Sequence, residues 1–180
     1  TMLDIARRST QRIQRLTNSL LDIHRLESGQ KIIQPRPVPL APLIQEALES
    51  VQPAAQGKKQ SITVEINSQT PPALADADMI RRVLINLFDN AVKFSPEESE
   101  IQAIVQPEGG FVLTSIRDAG PGIPQAFQER IFEKFTRLGG KDAPKGLGLG
   151  LTYCRLTVNA HGGKIWVESQ PGQGSIFKFT

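Results

Sequence analysis

A proline-rich stretch divides this chain into two parts that must fold differently. The segment "QPRPVPLAP" (34–42) has four prolines in nine residues. Proline lacks the amide hydrogen that helices and central strands use, so we predict an extended linker over residues 31–42. A helix is expected before this linker, over residues 1–30, and a globular domain after it, over residues 43–180.

The part before the linker carries the apolar repeat of a coiled coil or helical bundle. Over residues 2–27, small and apolar side chains alternate spacings of four and three: Met2, Ala6, Ser9, Ile13, Leu16, Leu20 and Ile23. Gly29 is a suitable end for this helix. Residues 1–31 hold six basic and three acidic side chains, so they account for the net charge of +3. They contain no Phe, Tyr or Trp for stacking on bases, so we expect no nucleic-acid partner.

The part after the linker alternates helical and strand patterns. A helix is marked by Leu43, Ile44, Ala47, Leu48 and Val51 and should be broken by Pro53 and Gly57. Two further helices are predicted at 77–94 and 150–160, with "PPALAD" (71–76) as a connection. Strands are predicted at 61–67, 100–106, 111–118, 164–169 and 174–180. The last four strands form two hairpins, which indicates an α+β fold with a helical layer on one mixed sheet.

Composition is that of a soluble globular protein, with 39% hydrophobic and 22% charged residues. No apolar run reaches the about 20 residues of a membrane span, and no signal-peptide pattern is visible. The single cysteine, Cys154, excludes an internal disulfide and fits a reducing compartment. Its apolar helical surroundings predict a plain buried thiol.

The stretch "LINLFDNAVKF" (84–94) places polar side chains on one face of an otherwise apolar helix. Asn86, Asn90 and Lys93 are spaced by four and then three residues, which puts them within about 60° of one another. An adjoining apolar stripe can face the sheet: Ile80, Val83, Leu84, Leu87, Ala91 and Phe94. Two amides and an ammonium on one line suit a magnesium-bound phosphate, although a solvated helix face would carry the same pattern.

Two glycine-rich stretches follow this helix. The first glycine loop, "DAGPGIP" (118–124), follows a predicted strand, and the second glycine loop, "GLGLGL" (146–151), precedes a predicted helix. Neither contains the Gly-Lys-Ser/Thr of a P-loop. The second reads G-x-G-x-G and lies outside any βαβ unit, so it is not a dinucleotide fingerprint. Each is an ordinary loop when taken alone; their order and spacing after the asparagine helix are far more specific.

Four segments, in order, resemble the ATP-binding catalytic domain of sensor histidine kinases, within the wider ATPase group that includes DNA gyrase and the mismatch-repair ATPases. The N box is "NLFDNAVKF", the first glycine box "DAGPGIP", the F box "IFEKFTR" (131–137) and the second glycine box "GLGLGL". The ending "NAHGGKIWVESQPGQGSIFKFT" is also similar. Residues 16–29, "LTNSLLDIHRLESG", resemble the second helix of the family's dimerisation hairpin, so the resemblance covers essentially the whole chain.

The resemblance implies a Bergerat-type fold, a two-layer sandwich of a mixed five-stranded sheet and about three helices, preceded by one long N-terminal helix. It implies a cytoplasmic protein histidine kinase that uses ATP and Mg²⁺, whose parent protein could be membrane-anchored. The implied partners are the dimerisation and histidine-phosphotransfer domain of the same protein, a response-regulator receiver domain and, in the full-length protein, a second copy forming a homodimer.

The resemblance also assigns roles at the phosphates and at the base. Asn90 and Asn86 are expected to face the phosphates and hold Mg²⁺, and Lys93 to supply a positive charge. Relatives that hydrolyse ATP place a glutamate at the position of Asn86 as general base, and an amide cannot take that proton, so transfer is favoured over hydrolysis. Asp118 is expected to accept from the adenine amine and to repel the guanine carbonyl, with an Asx turn as its alternative role.

The remaining assignments concern the loops. Gly120 and Gly122 are expected to let the backbone approach the purine. The second glycine loop is expected to cradle phosphate oxygens at a helix N-terminus. The full set of other ATP-binding residues from the two loops is Ile123, Gly146, Leu147, Gly148, Leu149, Gly150 and Leu151. Leu147 stands where the family often has a small hydroxyl residue, which removes one possible polar contact.

Between the loops, residues 128–146 are expected to form a mobile lid over ATP. Phe132 and Phe135 are its predicted apolar anchors. Arg137 and Lys134 are the cations expected near the γ-phosphate, with Arg137 favoured for its planar fork and a solvated role as the alternative for Lys134.

Neither histidine fits a phosphoacceptor. His24 lies on the second hairpin helix and is followed by Arg25, whereas the family's acceptor is on the first helix and usually precedes an acidic residue. His161 is expected to be a turn or packing residue. This chain should therefore bind ATP without phosphorylating itself. The alternatives are a nucleotide-binding signalling module without kinase activity and an anti-sigma-factor-type serine kinase, a class that normally lacks a dimerisation hairpin.

Overall fold

The computed structural model describes residues 19–28, 33–138 and 146–180, together with Thr10, Gln14 and Thr17. Most of the predicted coiled-coil repeat, the predicted helix end at Gly29 and the lid residues 139–145 lie outside the described residues. Among those described, no helix has the length and hydropathy of a membrane span.

A mixed five-stranded sheet forms one layer of the domain. The described strands are β1 (Arg36–Val38), β2 (Ser61–Ile66), β3 (Ala73–Ala75), β4 (Glu100–Glu108), β5 (Phe111–Asp118), β6 (Ile165–Ser169) and β7 (Ser175–Phe179). The large sheet has the order β2-β4-β5-β7-β6. Strands β2 and β4 are parallel, and the other neighbours are antiparallel. The predicted α+β fold with a mixed five-stranded sheet is confirmed.

Helices form the second layer. The described α-helices of the domain are α1 (Leu40–Gly57), α2 (Ala77–Phe94) and α3 (Gly150–Ala160). The apolar stripe predicted on α2 lies at the centre of the core, where Val83, Leu84 and Leu87 have no exposed surface. Phe94 is the exception, because it is 38% exposed at the end of the helix. Burial of such side chains contributes about 1.5–3 kcal/mol each.

Helix α1 differs from its prediction at both ends. It begins at Leu40, inside the predicted linker, because Pro39 is an extended N-cap residue and Pro42 lies in the first turn, where a missing amide hydrogen costs nothing. Pro53 does not break it, since the helix continues to Gly57. Pro53 is exposed, so water can take the place of the helical hydrogen bond that proline removes.

Part of the predicted linker is a strand. Strand β1 pairs antiparallel with β3, with Arg36 opposite Ala75 and Val38 opposite Ala73. Strand β3 lies within "PPALAD", which the sequence predicted to be only a connection. Three-residue strands carry no periodicity, and their pairing depends on a partner far away in the chain, so no local pattern could reveal them.

The N-terminal helix ends against the domain. Residues 19–27 are helical, and the side chain of Ile23 is only 1% exposed within the domain core. Arg82 of α2 forms an ion pair with Asp22, and Lys134 pairs with Glu27 at 2.6 Å. Leu20, predicted to share one seam with Ile23, is 39% exposed. The docking of the helix therefore separates these two side chains.

Asp76 joins the start of α2 to two distant segments. Its carboxylate accepts hydrogen bonds from the amides of Met79 (3.2 Å) and Gln34 (3.1 Å). Its own amide donates to Nε2 of His161 at 3.0 Å, and Nδ1 of that ring lies 2.8 Å from the carbonyl of Thr157. His161 therefore links α3 to α2 through its two ring nitrogens, beyond the turn or packing role predicted for it.

Replacing Asp76 by alanine should lower the free energy of unfolding by about 1–2 kcal/mol, because α2 loses its N-cap. Urea unfolding measures the loss. Asp78→Ala is the matched control: Asp78 lies in the same turn, but its side chain is 85% exposed and pairs with Arg81. Its removal should cost at most about 0.5 kcal/mol. Equal losses for the two variants would contradict a capping role for Asp76.

Candidate functional site

A cavity of about 790 Å³ lies where α2 and the two glycine loops meet. Thirteen of the seventeen predicted site residues line it: Asn86, Asn90, Lys93, Asp118, Gly122, Ile123, Arg137, Gly146, Leu147, Gly148, Leu149, Gly150 and Leu151. Four do not line it, namely Gly120, Phe132, Lys134 and Phe135. The predicted residues that line the cavity are up to 65 positions apart in the chain and converge on one volume.

The polar face of α2 forms one wall of the cavity, against the second glycine loop. A Cβ added to Gly150 would lie 3.2 Å from Oδ1 of Asn86, and one added to Gly146 would lie 2.8 Å from Nζ of Lys93. These glycines therefore leave room for the amide and the ammonium. Burial lowers the pKa of Lys93, the charge of Asp89 raises it, and Arg137 lowers it.

The thiol of Cys154 packs α3 against α2. It is fully buried and donates to the carbonyl of Val83 on α2, with 3.8 Å between sulfur and oxygen. Burial raises the pKa of Cys154 to about 12, so the thiol stays protonated at neutral pH. The expectation of a plain buried thiol is confirmed.

Asp118, at the end of β5, is the buried carboxylate of the cavity and is 6% exposed. Its Oδ1 accepts a hydrogen bond of 2.8 Å from the amide of Gly120. The Asx-turn role and the place in the cavity are therefore compatible. Burial raises the pKa of Asp118 above its ordinary value of 3.8, while hydrogen bonds from Gly120 and from the amide and hydroxyl of Ser175 lower it.

The raised pKa of Asp118 predicts a pH-dependent stability difference between the wild type and Asp118→Asn. The folded protein holds a proton on Asp118 more readily than the unfolded chain, so the ionised carboxylate destabilises the fold above the folded pKa. Asparagine has no charge to bury and can still accept from Gly120. Urea unfolding should find the variant more stable at pH 7, with the difference shrinking as the pH falls through the folded pKa toward 3.8. A difference that does not change with pH would contradict this account.

The first glycine loop is fastened to the turn between β6 and β7. The amide of Ile123 donates to Oγ of Ser169 at 2.8 Å. A Cβ on Gly122, which has φ of +74°, would lie 1.9 Å from the carbonyl oxygen of Gln170. A Cβ on Gly120 would lie 2.7 Å from Oδ1 of Asp118. Contacts within the protein therefore already disfavour a side chain at either glycine, and their role in the approach of the backbone to a purine stays a prediction.

The second glycine loop leads directly into α3. Gly148 has φ of +68°, and a Cβ there would lie 2.8 Å from the backbone of Phe135. The amide of Phe135 donates to the carbonyl of Gly148 at 2.9 Å. The loop is thus held against the F box, and Gly150 and Leu151 in the first turn of α3 line the cavity. Helix N-terminal amides suit anions.

The F box splits into buried and exposed residues. Phe132 is 2% exposed and packs edge-on against Phe177, with 6.5 Å between ring centroids. Phe135 is 62% exposed with φ of +61°, so its predicted role as an apolar anchor is wrong. Its backbone is held by Gly148, and this directs the side chain outward. Arg137 lines the cavity, whereas Lys134 points to Glu27 of the N-terminal helix.

Several lining residues were missed from the sequence. Ser175 follows Gly174 at the start of β7 and contacts Asp118. Asp89 lies on α2 between the two asparagines. The other missed residues are Ser19, Phe94, Pro121, Pro124, Phe127, Ile131, Thr136, Leu138 and Phe177. The alternation of β7 could have placed Ser175 and Phe177 on one face, but only the pairing of β7 with β5 brings Ser175 to Asp118.

Comparison with known proteins agrees with this geometry. Residues 75–180 match the family described as histidine kinase-, DNA gyrase B-, and HSP90-like ATPase. That range is more than half of the chain. The chain belongs to this ATPase family. Its resemblance to the histidine kinase catalytic domain, predicted from the four boxes, is confirmed.

Individual relatives are sensory kinases. The adaptive-response sensory kinase SasA of Synechocystis sp. is 40% identical over 97% of this chain and 46% of its own length. The structure of full-length ShkA in complex with AMPPNP has a TM-score of 0.85 and 32% identity, covering 96% of this chain and 36% of that one. The structure of histidine kinase ThkA in complex with response regulator TrrA has a TM-score of 0.71 and 28% identity. The match covers 94% of this chain and 48% of that one. The chain therefore spans about half the length, or less, of these proteins.

Proposed function

We propose that this chain is the ATP-binding catalytic part of a sensor histidine kinase, which donates the γ-phosphoryl group of ATP to a histidine outside this chain. The observation that carries the proposal is the cavity of about 790 Å³, in which a buried carboxylate, two amides and two cations meet two glycine loops. The family to which the chain belongs consists of ATPases. The relatives of which it spans about half are sensory kinases.

Asp118 would recognise adenine. An ionised carboxylate accepts hydrogen bonds only, so it pairs with the exocyclic amine of adenine and meets repulsion from the carbonyl oxygen of guanine. Because Oδ1 already accepts from the amide of Gly120, the adenine amine would donate to the remaining lone pairs of the carboxylate. Leaving such a buried group unpaired costs about 1–3 kcal/mol, which favours ATP over GTP by about one to two decades.

Asn86, Asn90, Lys93 and Arg137 would form the phosphate end of the site. Amide oxygens suit Mg²⁺, which keeps several waters and also takes phosphate oxygens. No group of three or more His, Cys, Asp or Glu in the described part of the chain could hold a metal alone. This donor set therefore fits an ion that arrives with ATP, with Asn90 and Asn86 as its protein ligands. When bound, Mg²⁺ would neutralise phosphate charge.

The site would favour transfer over hydrolysis. An amide at position 86 cannot accept a proton from water, so the position that holds the general base in the hydrolysing relatives has no base here. Lys93 and Arg137 would neutralise the transferred group, and catalysis would consist mainly of positioning and charge stabilisation. The nucleophile would be a histidine imidazole that another helix presents at the open side of the cavity.

The domain organisation follows from the same proposal. Residues 1–30 would be the second helix of the dimerisation hairpin, 31–42 the linker and 43–180 the catalytic domain, in a protein that works as a homodimer in the cytoplasm. The ThkA structure contains a response regulator, which supports a receiver domain as the next phosphate acceptor. The protonated buried thiol of Cys154 fits a reducing compartment.

Calorimetric titration with a non-hydrolysable ATP analogue tests the binding step. We expect micromolar affinity that increases with Mg²⁺, and a loss of about tenfold or more in Asn90→Ala, because a ligand of the metal and phosphates is removed. Asn159→Ala is the matched control, since Asn159 is exposed at the far end of α3 and outside the cavity. Absence of binding by folded wild-type protein would contradict the proposal.

A transfer assay then separates the candidate activities. The chain is mixed with γ-labelled ATP and a separately prepared histidine-bearing dimerisation hairpin. Acid-labile label on the hairpin is the expected result, with no phosphate release by the chain alone. Acid-stable label on serine would indicate a serine kinase instead. Binding without any transfer would leave a nucleotide-binding signalling module.

A further inference from the structure

The C-terminal end of α2 is held by two side chains from the turn between α1 and β2. The ammonium of Lys58 donates to the carbonyls of Val92 (2.8 Å), Lys93 (3.4 Å) and Ser95. The side-chain amide of Gln60 donates to the carbonyls of Val92 (3.2 Å), Ser95 (3.1 Å) and Pro96 (2.9 Å). Four backbone carbonyls between residues 92 and 96 therefore accept hydrogen bonds from these two side chains.

This arrangement satisfies an end that has no cap of its own. The last carbonyls of a helix have no partner within the helix. The usual glycine cap is absent, since the C-cap residue Ser95 is extended with φ of −70° and ψ of 147°. A cation at a helix C-terminus also interacts favourably with the helix dipole. Lys58 supplies both the donors and the charge.

The C-terminal end of α2 also contributes residues to the candidate nucleotide site. Asn90, Lys93 and Phe94 lie in its last turns and line the cavity. The segment also contacts the first glycine loop: Oγ of Ser95 accepts from the amide of Ala119 at 3.2 Å. A Cβ on Gly120 would lie 3.2 Å from the carbonyl of Phe94. A shift of this turn would therefore move both the phosphate side and the loop that carries Asp118.

We propose that Lys58 is a positioning residue of the nucleotide site, outside the cavity, which fixes the last turn of α2 relative to the first glycine loop. The inference rests on the proposed function, because it concerns the binding of ATP. Loss of Lys58 should therefore weaken nucleotide binding even in protein that is fully folded. This effect is separate from any change in the free energy of unfolding. Displacement of site residues by about 1 Å can cost on the order of 100-fold in activity.

The neighbouring Lys59 provides a matched control. Its ammonium pairs with Glu98 at 2.9 Å, and the two side chains are 76% and 68% exposed. The variants Lys58→Met and Lys59→Met thus remove the same charge from adjacent residues, one at the helix end and one at the surface. Lys58→Arg keeps the charge and the donors and serves as the conservative variant.

The experiment is calorimetric titration of these variants with adenosine and with a non-hydrolysable ATP analogue, at a temperature where circular dichroism finds each fully folded. We expect Lys58→Met to bind both ligands about tenfold more weakly than the wild type. Lys59→Met should bind like the wild type, and Lys58→Arg should recover most of the affinity. Unchanged affinity in folded Lys58→Met would overturn the inference, whereas absence of binding by the wild type would overturn the proposed function instead.

Ser95→Ala provides the test if Lys58→Met does not fold. This variant removes the hydroxyl that accepts from Ala119 but keeps all four carbonyls under Lys58 and Gln60. Because the contact lies on the Asp118 side, adenosine affinity should fall severalfold, and the affinity of the ATP analogue should fall by the same factor. Full adenosine affinity in Ser95→Ala would overturn the coupling between the end of α2 and the loop.

Discussion

Asp118→Asn is expected to bind ATP about 10–100-fold more weakly than the wild type, because a buried acceptor for the adenine amine becomes a donor. In the variant, Oδ1 would keep its hydrogen bond with the amide of Gly120, and the new NH₂ group would take the place of Oδ2. A donor would then face the donor amine of adenine. Calorimetric titration with the non-hydrolysable analogue measures the loss.

The same variant separates binding from folding. Since the ionised Asp118 destabilises the fold, Asp118→Asn should be at least as stable as the wild type at pH 7 while it binds ATP poorly. A control is Asp78→Asn, which alters an exposed carboxylate that does not line the cavity and should leave affinity unchanged. If folded Asp118→Asn bound ATP as tightly as the wild type, Asp118 could not be the residue that recognises adenine.

Gly122→Ala is expected to lower the free energy of unfolding by about 2–5 kcal/mol, through left-handed backbone strain together with overpacking. Its φ is +74°, and the new Cβ would lie 1.9 Å from the backbone oxygen of Gln170. A backbone carbonyl cannot turn away as a flexible side chain can. The turn and the first glycine loop must therefore separate, which should also weaken ATP binding.

Gly172→Ala is a control that separates the cost of left-handed backbone strain from the cost of the close contact with Gln170. Gly172 has φ of +79°, almost the same as Gly122, but nothing lies within 4 Å of its added Cβ. Its cost should be only the conformational part, about 1–2 kcal/mol. Urea unfolding of both variants measures the difference, and equal losses would show that the contact with Gln170 relaxes freely.

The two predictions share one structural cause, which is that the site is assembled at a junction of backbones. The first glycine loop, which begins at Asp118, packs between the end of α2 and the turn between β6 and β7. Contacts with Phe94 and Gln170 leave no space for side chains at Gly120 and Gly122. Specificity for the ligand and stability of the fold therefore depend on the same few contacts, and the buried charge of Asp118 is kept at a cost in stability.

The sequence alone determined the elements that have a strong local pattern. Periodicity and breakers predicted α2 at 77–94, β5 at 111–118 and α3 at 150–160, and the structure has these helices and this strand with the same bounds. The helical spacing of Asn86, Asn90 and Lys93 also predicted one shared face, and all three side chains line one cavity. Such features depend on residues within one or two turns, so the local sequence contains them.

Contacts between distant segments arise from tertiary packing and could not be predicted from local sequence. The pairing of β1 with β3, the ion pair of Lys134 with Glu27 and the place of Ser175 beside Asp118 join residues that are 35 to more than 100 positions apart. The lack of space for a side chain at Gly120 and Gly122 and the hydrogen bonds of Lys58 to the end of α2 belong to the same class. No periodicity records these contacts, because they arise when the sheet and helices pack and bring separate backbones within reach of a single side chain.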